Sequence, residues 1–247
     1  MDFGLTGRRA AVAGASAGLG LATAEALAAE GANVAICGRN AERLHTVANE
    51  RGFHAIEADV SNTDGAAAFI TGARDALGGV DILIANAGGP PGGGFRDFPD
   101  PQQYADAFTL NALSTITMCL EAVPEMRAQS WGRIVAVTSI AARQASPHLI
   151  LSATARAGVT GFLKTLAIDV AADGITVNSL QPGLHETDRL RQLYGGDASA
   201  AAATIPAGKL GRPEDFGRVA AFLCSDAARF ITGSALLVDG GAYLGLH

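Results

Sequence analysis

The chain has 247 residues, 49% hydrophobic and 17% charged, with a formal net charge of −6. That length fits one α/β domain, residues 1–247, with a sizeable buried core. The acidic balance excludes a phosphate-backbone partner, which needs clustered Lys and Arg.

The elements follow in chain order. Arg8 and Arg9 directly precede a short apolar run, Ala10-Ala11-Val12-Ala13, so no signal-peptide core is expected there. Glycine ends this first strand. A helix follows, with Leu19, Ala22, Ala26 and Leu27 at helical spacing, and stops at Gly31. Val34-Ala35-Ile36-Cys37 is the second strand, and a charged helix runs on through Leu44 and Val47. His54-Ala55-Ile56 and Ile82-Leu83-Ile84-Ala85 are the third and fourth strands. Ile134-Val135-Ala136-Val137, Ile175-Thr176-Val177 and Leu236-Leu237-Val238 are the fifth, sixth and seventh. Nearly all-apolar runs alternating with helices mean strands buried on both faces, hence a parallel sheet. Right-handed crossovers make it doubly wound, a Rossmann-type fold. No apolar run is long enough to span a bilayer, so no membrane partner is expected. Cys37, Cys119 and Cys224 stand at unrelated spacings in apolar settings, which suits a reducing cytoplasm without disulfide or metal frameworks.

Two segments break the rhythm. Gly88 to Gly94 holds only glycine and proline after the fourth strand, and Leu184 to Pro206 follows the sixth. Ligands on such sheets bind beyond the carboxyl ends of the strands, so both are expected walls of a site for a small-molecule substrate.

Gly14-Ala15-Ser16-Ala17-Gly18-Leu19-Gly20 links the first strand to the first helix. Glycines permit the tight turn and close approach of a pyrophosphate, and the helix start offers it free amides. An NAD site needs a carboxylate at the end of the second strand; Gly38 stands there, followed by Arg39. Arg39, aided by the Ser16 hydroxyl, suits a 2′-phosphate, so NADP(H) is expected over NAD(H).

These features resemble the short-chain dehydrogenase/reductase family. Its G-x-x-x-G-x-G spacing is present, with Ala13 where threonine is usual. Asp59-Val60 matches the family's adenine contact. Asn86-Ala87-Gly88 matches its Asn-Ala-Gly. Pro182-Gly183 with Thr187 matches the Pro-Gly-x-x-x-Thr that positions the nicotinamide carboxamide, and Val238-Asp239-Gly240-Gly241 its C-terminal signature. The resemblance implies Asn111 and Ser139 as members of the family's catalytic group. Thirteen residues after Ser139, where the family has Tyr-x-x-x-Lys, this chain reads Ser152-Ala153-Thr154-Ala155-Arg156. The match resumes through Ala157-Gly158-Val159 and Gly161 to Ala167, so the register is firm. This pattern is similar to the divergent branch of 3-oxoacyl-(acyl-carrier-protein) reductase-like proteins.

The resemblance implies hydride transfer at a carbonyl or alcohol, 3-oxoacyl thioesters included. Ser152 is a much weaker acid than a phenol, and Arg156 keeps the charge and the ribose contact but relays protons poorly. A replacement donor is sought at His148, His185 or Tyr194. A second reading is a nucleotide-binding protein with little catalysis, a sensor or inactive partner subunit. The helices from Asn111 to Met126 and from Ser152 to Val170 correspond to helices that pair across a two-fold in related enzymes. Ala153, Ala157 and Gly161 permit close packing there, and a homodimer or homotetramer is expected.

Overall fold

The computed structural model describes residues 2–193 and 199–246. The strands are β1 (Arg9–Val12), β2 (Asn33–Gly38), β3 (His54–Glu57), β4 (Ile82–Ala85), β5 (Gly132–Val137), β6 (Ile175–Pro182) and β7 (Ala235–Val238). They form one seven-stranded sheet in the order β3-β2-β1-β4-β5-β6-β7. Every pairing is parallel. All seven expected runs are strands, and the fold is the expected doubly wound α/β type.

Apolar residues on both faces explain the layering. Ala10, Val12, Ile36, Ile84 and Val135 pack in one buried cluster with Leu27 of α1 (Gly18–Ala29) and Phe216 of α9 (Pro213–Cys224). Ala11, Ala35, Leu83 and Ile134 pack in the other with Phe69 of α3 (Thr63–Leu77), Met118 of α5 (Ser114–Ala128) and Leu163 of α6 (Ile150–Val170). Neighbouring residues of one strand thus feed opposite layers, as strand geometry dictates. The first layer is tight: a Cβ on Gly217 of α9 would lie 2.2 Å from the Ala22 carbonyl of α1.

The charged helix α2 (Ala41–Arg51) starts on Asn40, whose side chain accepts from Arg43 N at 2.8 Å. The helix expected to begin near Asn111 begins ten residues earlier, as α4 (Pro101–Phe108). Asp100 caps it by accepting from Gln102 N at 2.9 Å, and Pro101 fills the first helical position. A π-helical turn, Thr109–Leu113, joins α4 to α5. Around it the hydroxyls of Thr109, Ser114 and Thr115 bond carbonyls four residues back, at 3.0, 2.6 and 3.2 Å. Such back-bonds loosen the regular ladder, and the widened turn holds Asn111 buried beside the segment that follows the central strand β4.

The order of strands reverses between β1 and β4. Their carboxyl ends therefore open a crevice, the place where ligands of this architecture bind.

Candidate active site

The glycine turn forms the floor of that crevice. Gly14 and Gly18 have φ of 57° and 60°, a region that other residues rarely adopt. A Cβ on Gly20 would stand 2.5 Å from the Gly14 carbonyl. Asn86, just past β4, donates from Nδ2 to the carbonyls of Ala13 and Gly14 at 3.1 and 3.2 Å, locking the turn to the neighbouring strand. Ala17 supplies no side-chain cap to α1, and its first turn carries no acid. Its leading amides stay open toward the cleft, an anion-binding arrangement that fits a pyrophosphate.

Ser16, Arg39, Asp59 and Val60 line one end of the cleft. A Cβ on Gly38 would come within 2.9 Å of Ser16 Oγ. A side chain at 38 therefore requires the Ser16 hydroxyl to turn aside. Arg39 and Arg43 both line this end, are exposed, and form no ion pair among the described residues. Arg43 was not singled out from the sequence. It stands in the first turn of α2, three residues after the cap Asn40, where the helix start faces the cleft. Asp59 accepts from Ser61 N at 3.0 Å and points no charge at either arginine.

Ala87, Gly88 and Leu19 line the middle of the cleft. Gly88 O accepts from Asn111 Nδ2 at 2.8 Å, while Asn111 Oδ1 is buried without a partner.

Ser139, Leu149, Ser152 and Arg156 line the other end. Ser139 Oγ accepts from Ala141 N at 3.0 Å, leaving its own proton free to donate. On α6 the hydroxyls of Thr154, Thr160 and Thr165 all bond back to carbonyls one turn earlier. The buried Ser152 hydroxyl makes no such bond. Arg156, one turn after it, is 8% exposed. Its Nη1 donates to the carbonyls of Val137 and Thr138 at the end of β5. Burial, and then the charge of Arg189, push this guanidinium down to about 10. It remains a cation at neutral pH.

Pro182, Gly183 and Thr187 close the cleft from the β6 side. Thr187 Cγ2 lies 3.6 Å from the Cβ position of Gly18, so this wall meets the glycine turn. Thr187 Oγ1 accepts from Leu190 N at 3.3 Å at the start of α7 (Asp188–Leu193), which α8 (Ser199–Ala202) follows. Arg189 reaches back to Pro90 O at 2.6 Å. The two rhythm-breaking segments are thus joined across the mouth. Arg189 was missed in the sequence because that contact spans 99 residues and has no local signature.

The three candidate donors fare differently. His148 is exposed and does not line the cleft. Its carbonyl accepts from Gly93 N at 2.8 Å and Leu149 bridges to Gly93, so the turn presents Leu149 to the cleft and sends His148 outward. An exposed side chain outside the cleft lining does not support His148 as the donor. His185 lines the cleft but is buried edge-on against Phe216, 5.4 Å between ring centres, with Nδ1 3.2 Å from Gly183 O. Burial holds its pKa below the ordinary imidazole value. Tyr194 lies outside the described residues.

The cleft has a volume of about 630 Å³, ample for a dinucleotide's reacting half and a small substrate. A parallel doubly wound sheet with a glycine cradle at its switch point defines a dinucleotide-binding protein of the Rossmann class. The family described as Enoyl-(Acyl carrier protein) reductase matches residues 14–243, and the chain belongs to the short-chain dehydrogenase/reductase family. It is 35% identical over 243 residues to 3-oxoacyl-(acyl-carrier-protein) reductase FabG of Vibrio cholerae serotype O1, covering 97% of this chain and 99% of that one. L-Sorbose reductase from Gluconobacter frateurii, solved with NADPH and L-sorbose, superposes with a TM-score of 0.91 at 32% identity, over 100% of both chains. A 7α-hydroxysteroid dehydrogenase solved with NADH and 7-oxo glycochenodeoxycholic acid does so with a TM-score of 0.91 at 30% identity, over 98% of this chain and 97% of that one.

Proposed function

We propose that this chain is an NADP(H)-dependent oxidoreductase that interconverts a carbonyl and an alcohol of a small molecule. The observation that carries the reading is one cleft with a glycine cradle at its floor, free guanidiniums at one end and free hydroxyls at the other. Structural neighbours hold NADPH in one case and NADH in another, so the fold alone does not choose the cofactor. Gly38, Arg39 and Arg43 support NADP(H): the end of β2 offers cations and no carboxylate.

When bound, NADPH supplies a hydride to the carbonyl carbon and leaves as NADP⁺, while the carbonyl oxygen takes up a proton and becomes the alcohol. The chain's own residues do the rest. The α1 amides would hold the pyrophosphate and Thr187 the nicotinamide carboxamide, and Asn86 keeps the glycine turn in shape. Ser139, its oxygen already bonded by Ala141 N, donates to the substrate oxygen. Arg156 stabilises the developing negative charge there. Ser152 gives its proton to the substrate oxygen only as it takes another from solvent, since an aliphatic hydroxyl is too weak an acid to end as an alkoxide. Asn111 holds the Gly88 backbone in place. A 3-oxoacyl thioester is one substrate class this chemistry admits. Slow turnover is expected, because loss of a positioned acid costs on the order of 10²- to 10⁴-fold.

The rest of the reading concerns setting. The cleft residues run from Gly14 to Leu190 in one sheet, which supports a single domain. No helix among the described residues is long and apolar enough to cross a membrane, and three buried free thiols suit a cytoplasmic location. The test is NADPH oxidation over a panel of activated diketones and 3-oxoacyl thioesters. NADPH binding with no turnover on any of them would favour a nucleotide sensor instead.

A further inference from the structure

The cleft holds more positive charge than a dinucleotide's phosphates account for. Arg39 and Arg43 serve the 2′-phosphate end, and the α1 amides serve the pyrophosphate. Two guanidiniums remain at the opposite end, Arg156 and Arg189.

Arg156 is buried, and its Nε has no acceptor. Arg189 lies over the backbone of Gly89, with Nη2 3.3 Å from the Cβ position there, and anchors on Pro90 O. Both cations line the same cleft, between the carboxyl ends of the strands and the segment after β6. Among the described residues no carboxylate pairs with either. Asp59 belongs to the far end and accepts from Ser61 N. Asp188 is taken by Arg191 at 2.9 Å. His185 is held neutral by burial. A buried cation without a counter-ion is unfavourable until an anion joins it. Ser152, short and with an unbonded hydroxyl, adds a third donor beside the two guanidiniums.

We infer that the substrate is an oxo acid, reduced to the hydroxy acid, whose free carboxylate is held by Arg189, next to the reacting oxygen that Arg156 and Ser152 serve. A planar guanidinium matches a carboxylate with paired hydrogen bonds, and Arg189 lines the cleft with no carboxylate partner among the described residues. Thioesters and neutral ketones leave the Arg189 charge unmatched. This inference rests on the oxidoreductase reading for its reaction, but the anion site can be tested apart from turnover.

The experiment is calorimetric titration of the full chain saturated with NADP⁺, which has no hydride to give. The probes are 2-oxobutanoate, acetoacetate and 4-oxopentanoate, each beside its methyl ester. At least one acid should bind about 10- to 100-fold more tightly than its ester, the factor that charge-assisted hydrogen bonds supply. Arg189→Met should erase the preference, and Arg189→Lys should keep part of it. Saturation with NADP⁺ in each variant reports a folded protein. Esters binding as well as acids, no binding of either, or a preference untouched by Arg189→Met would overturn the inference. The same pairs in an NADPH oxidation assay separate the two ideas. An acid that binds selectively without turnover removes the reductase reading and keeps the anion site. Faster turnover of the ester keeps the reductase and removes the oxo acid.

Discussion

Gly38 shows how one residue sets cofactor choice by packing and charge together. A side chain there meets Ser16 Oγ at 2.9 Å, so a carboxylate introduced at 38 displaces the hydroxyl expected to serve the 2′-phosphate. Arg39 is exposed and free, and a change there costs no packing. Arg39→Asp should therefore reverse the preference from NADPH to NADH, whereas Gly38→Asp should weaken NADPH binding; titrating each cofactor against the variants checks this. Equal affinities for the two cofactors in the wild type would sink the assignment.

Ser152 and Arg156 pose the second question at this scale. Ser152→Tyr with Arg156→Lys restores an acid whose pKa a cation can lower and a lysine able to relay protons. The double variant should raise the rate of NADPH oxidation by about 10²-fold, the low end for a positioned acid. The single Ser152→Tyr change should raise it less. A double variant that folds and binds NADPH yet gains no rate counts against a latent reductase. Arg156 itself adds no pH dependence to stability near neutrality. Its folded pKa of about 10 lies below the unfolded value, so its cost is constant until pH passes about 10 and then declines. His185 behaves differently. Its pKa is depressed by burial below 6.5, so below that pH the unfolded chain takes up the proton first and stability falls. His185→Gln should flatten the fall in Tm between about pH 6.5 and 5, the window below the ordinary imidazole value; an unchanged slope would assign the acid sensitivity elsewhere.

At the scale of elements, α1 and α9 make the closest helix contact with a stated cause. Gly217 faces the α1 backbone, and a Cβ there would stand 2.2 Å from Ala22 O. Gly217→Ala must push α9 away, at a cost of roughly 1–3 kcal/mol for overpacking. Denaturant unfolding should show that loss, and NADPH affinity should fall with it because α1 carries the pyrophosphate amides. The strands were legible because parallel strands are buried on both faces and read as unbroken apolar runs. The glycine turn, Asn86, Ser139 and Thr187 were legible through motif spacing. The start of α4 had its own signal, Asp100-Pro101 with Gln103, yet the hydrophobic pattern around Asn111 outweighed it. The π turn had none, since it depends on hydroxyl back-bonds within an otherwise helical pattern. His148 misled because a residue before a helix can face either way, and the Gly93–Leu149 bridge that decides it spans 56 residues. Arg189 is hidden for the same reason: its role comes from a partner on another loop.

At the scale of the whole molecule, exposed apolar side chains among the described residues include groups on two sides of the sheet. One lies on the α5 and α6 side, where Leu120 is 66% and Ile168 72% exposed. Ala157 and Gly161 are exposed on α6, and a Cβ at Gly161 would meet nothing within 4 Å. Small residues there therefore do not serve contact with the sheet; they leave room for another helix. The other surface surrounds β7, the last strand of the sheet, with Leu236 at 42%, Leu244 at 86% and Phe230 fully exposed. Apolar area of this kind marks association, and an unpaired edge strand invites cover. Two independent self-complementary surfaces on one chain close into a dihedral tetramer, whereas one surface stops at a dimer. Light scattering at micromolar concentration should give about four times the 25.0 kDa chain mass. Gly161→Arg, placed on the α6 surface, should reduce that to a dimer held by the β7 side. A wild-type monomer would reject both interfaces. A tetramer that survives Gly161→Arg would show that the open face of α6 faces solvent in the assembly.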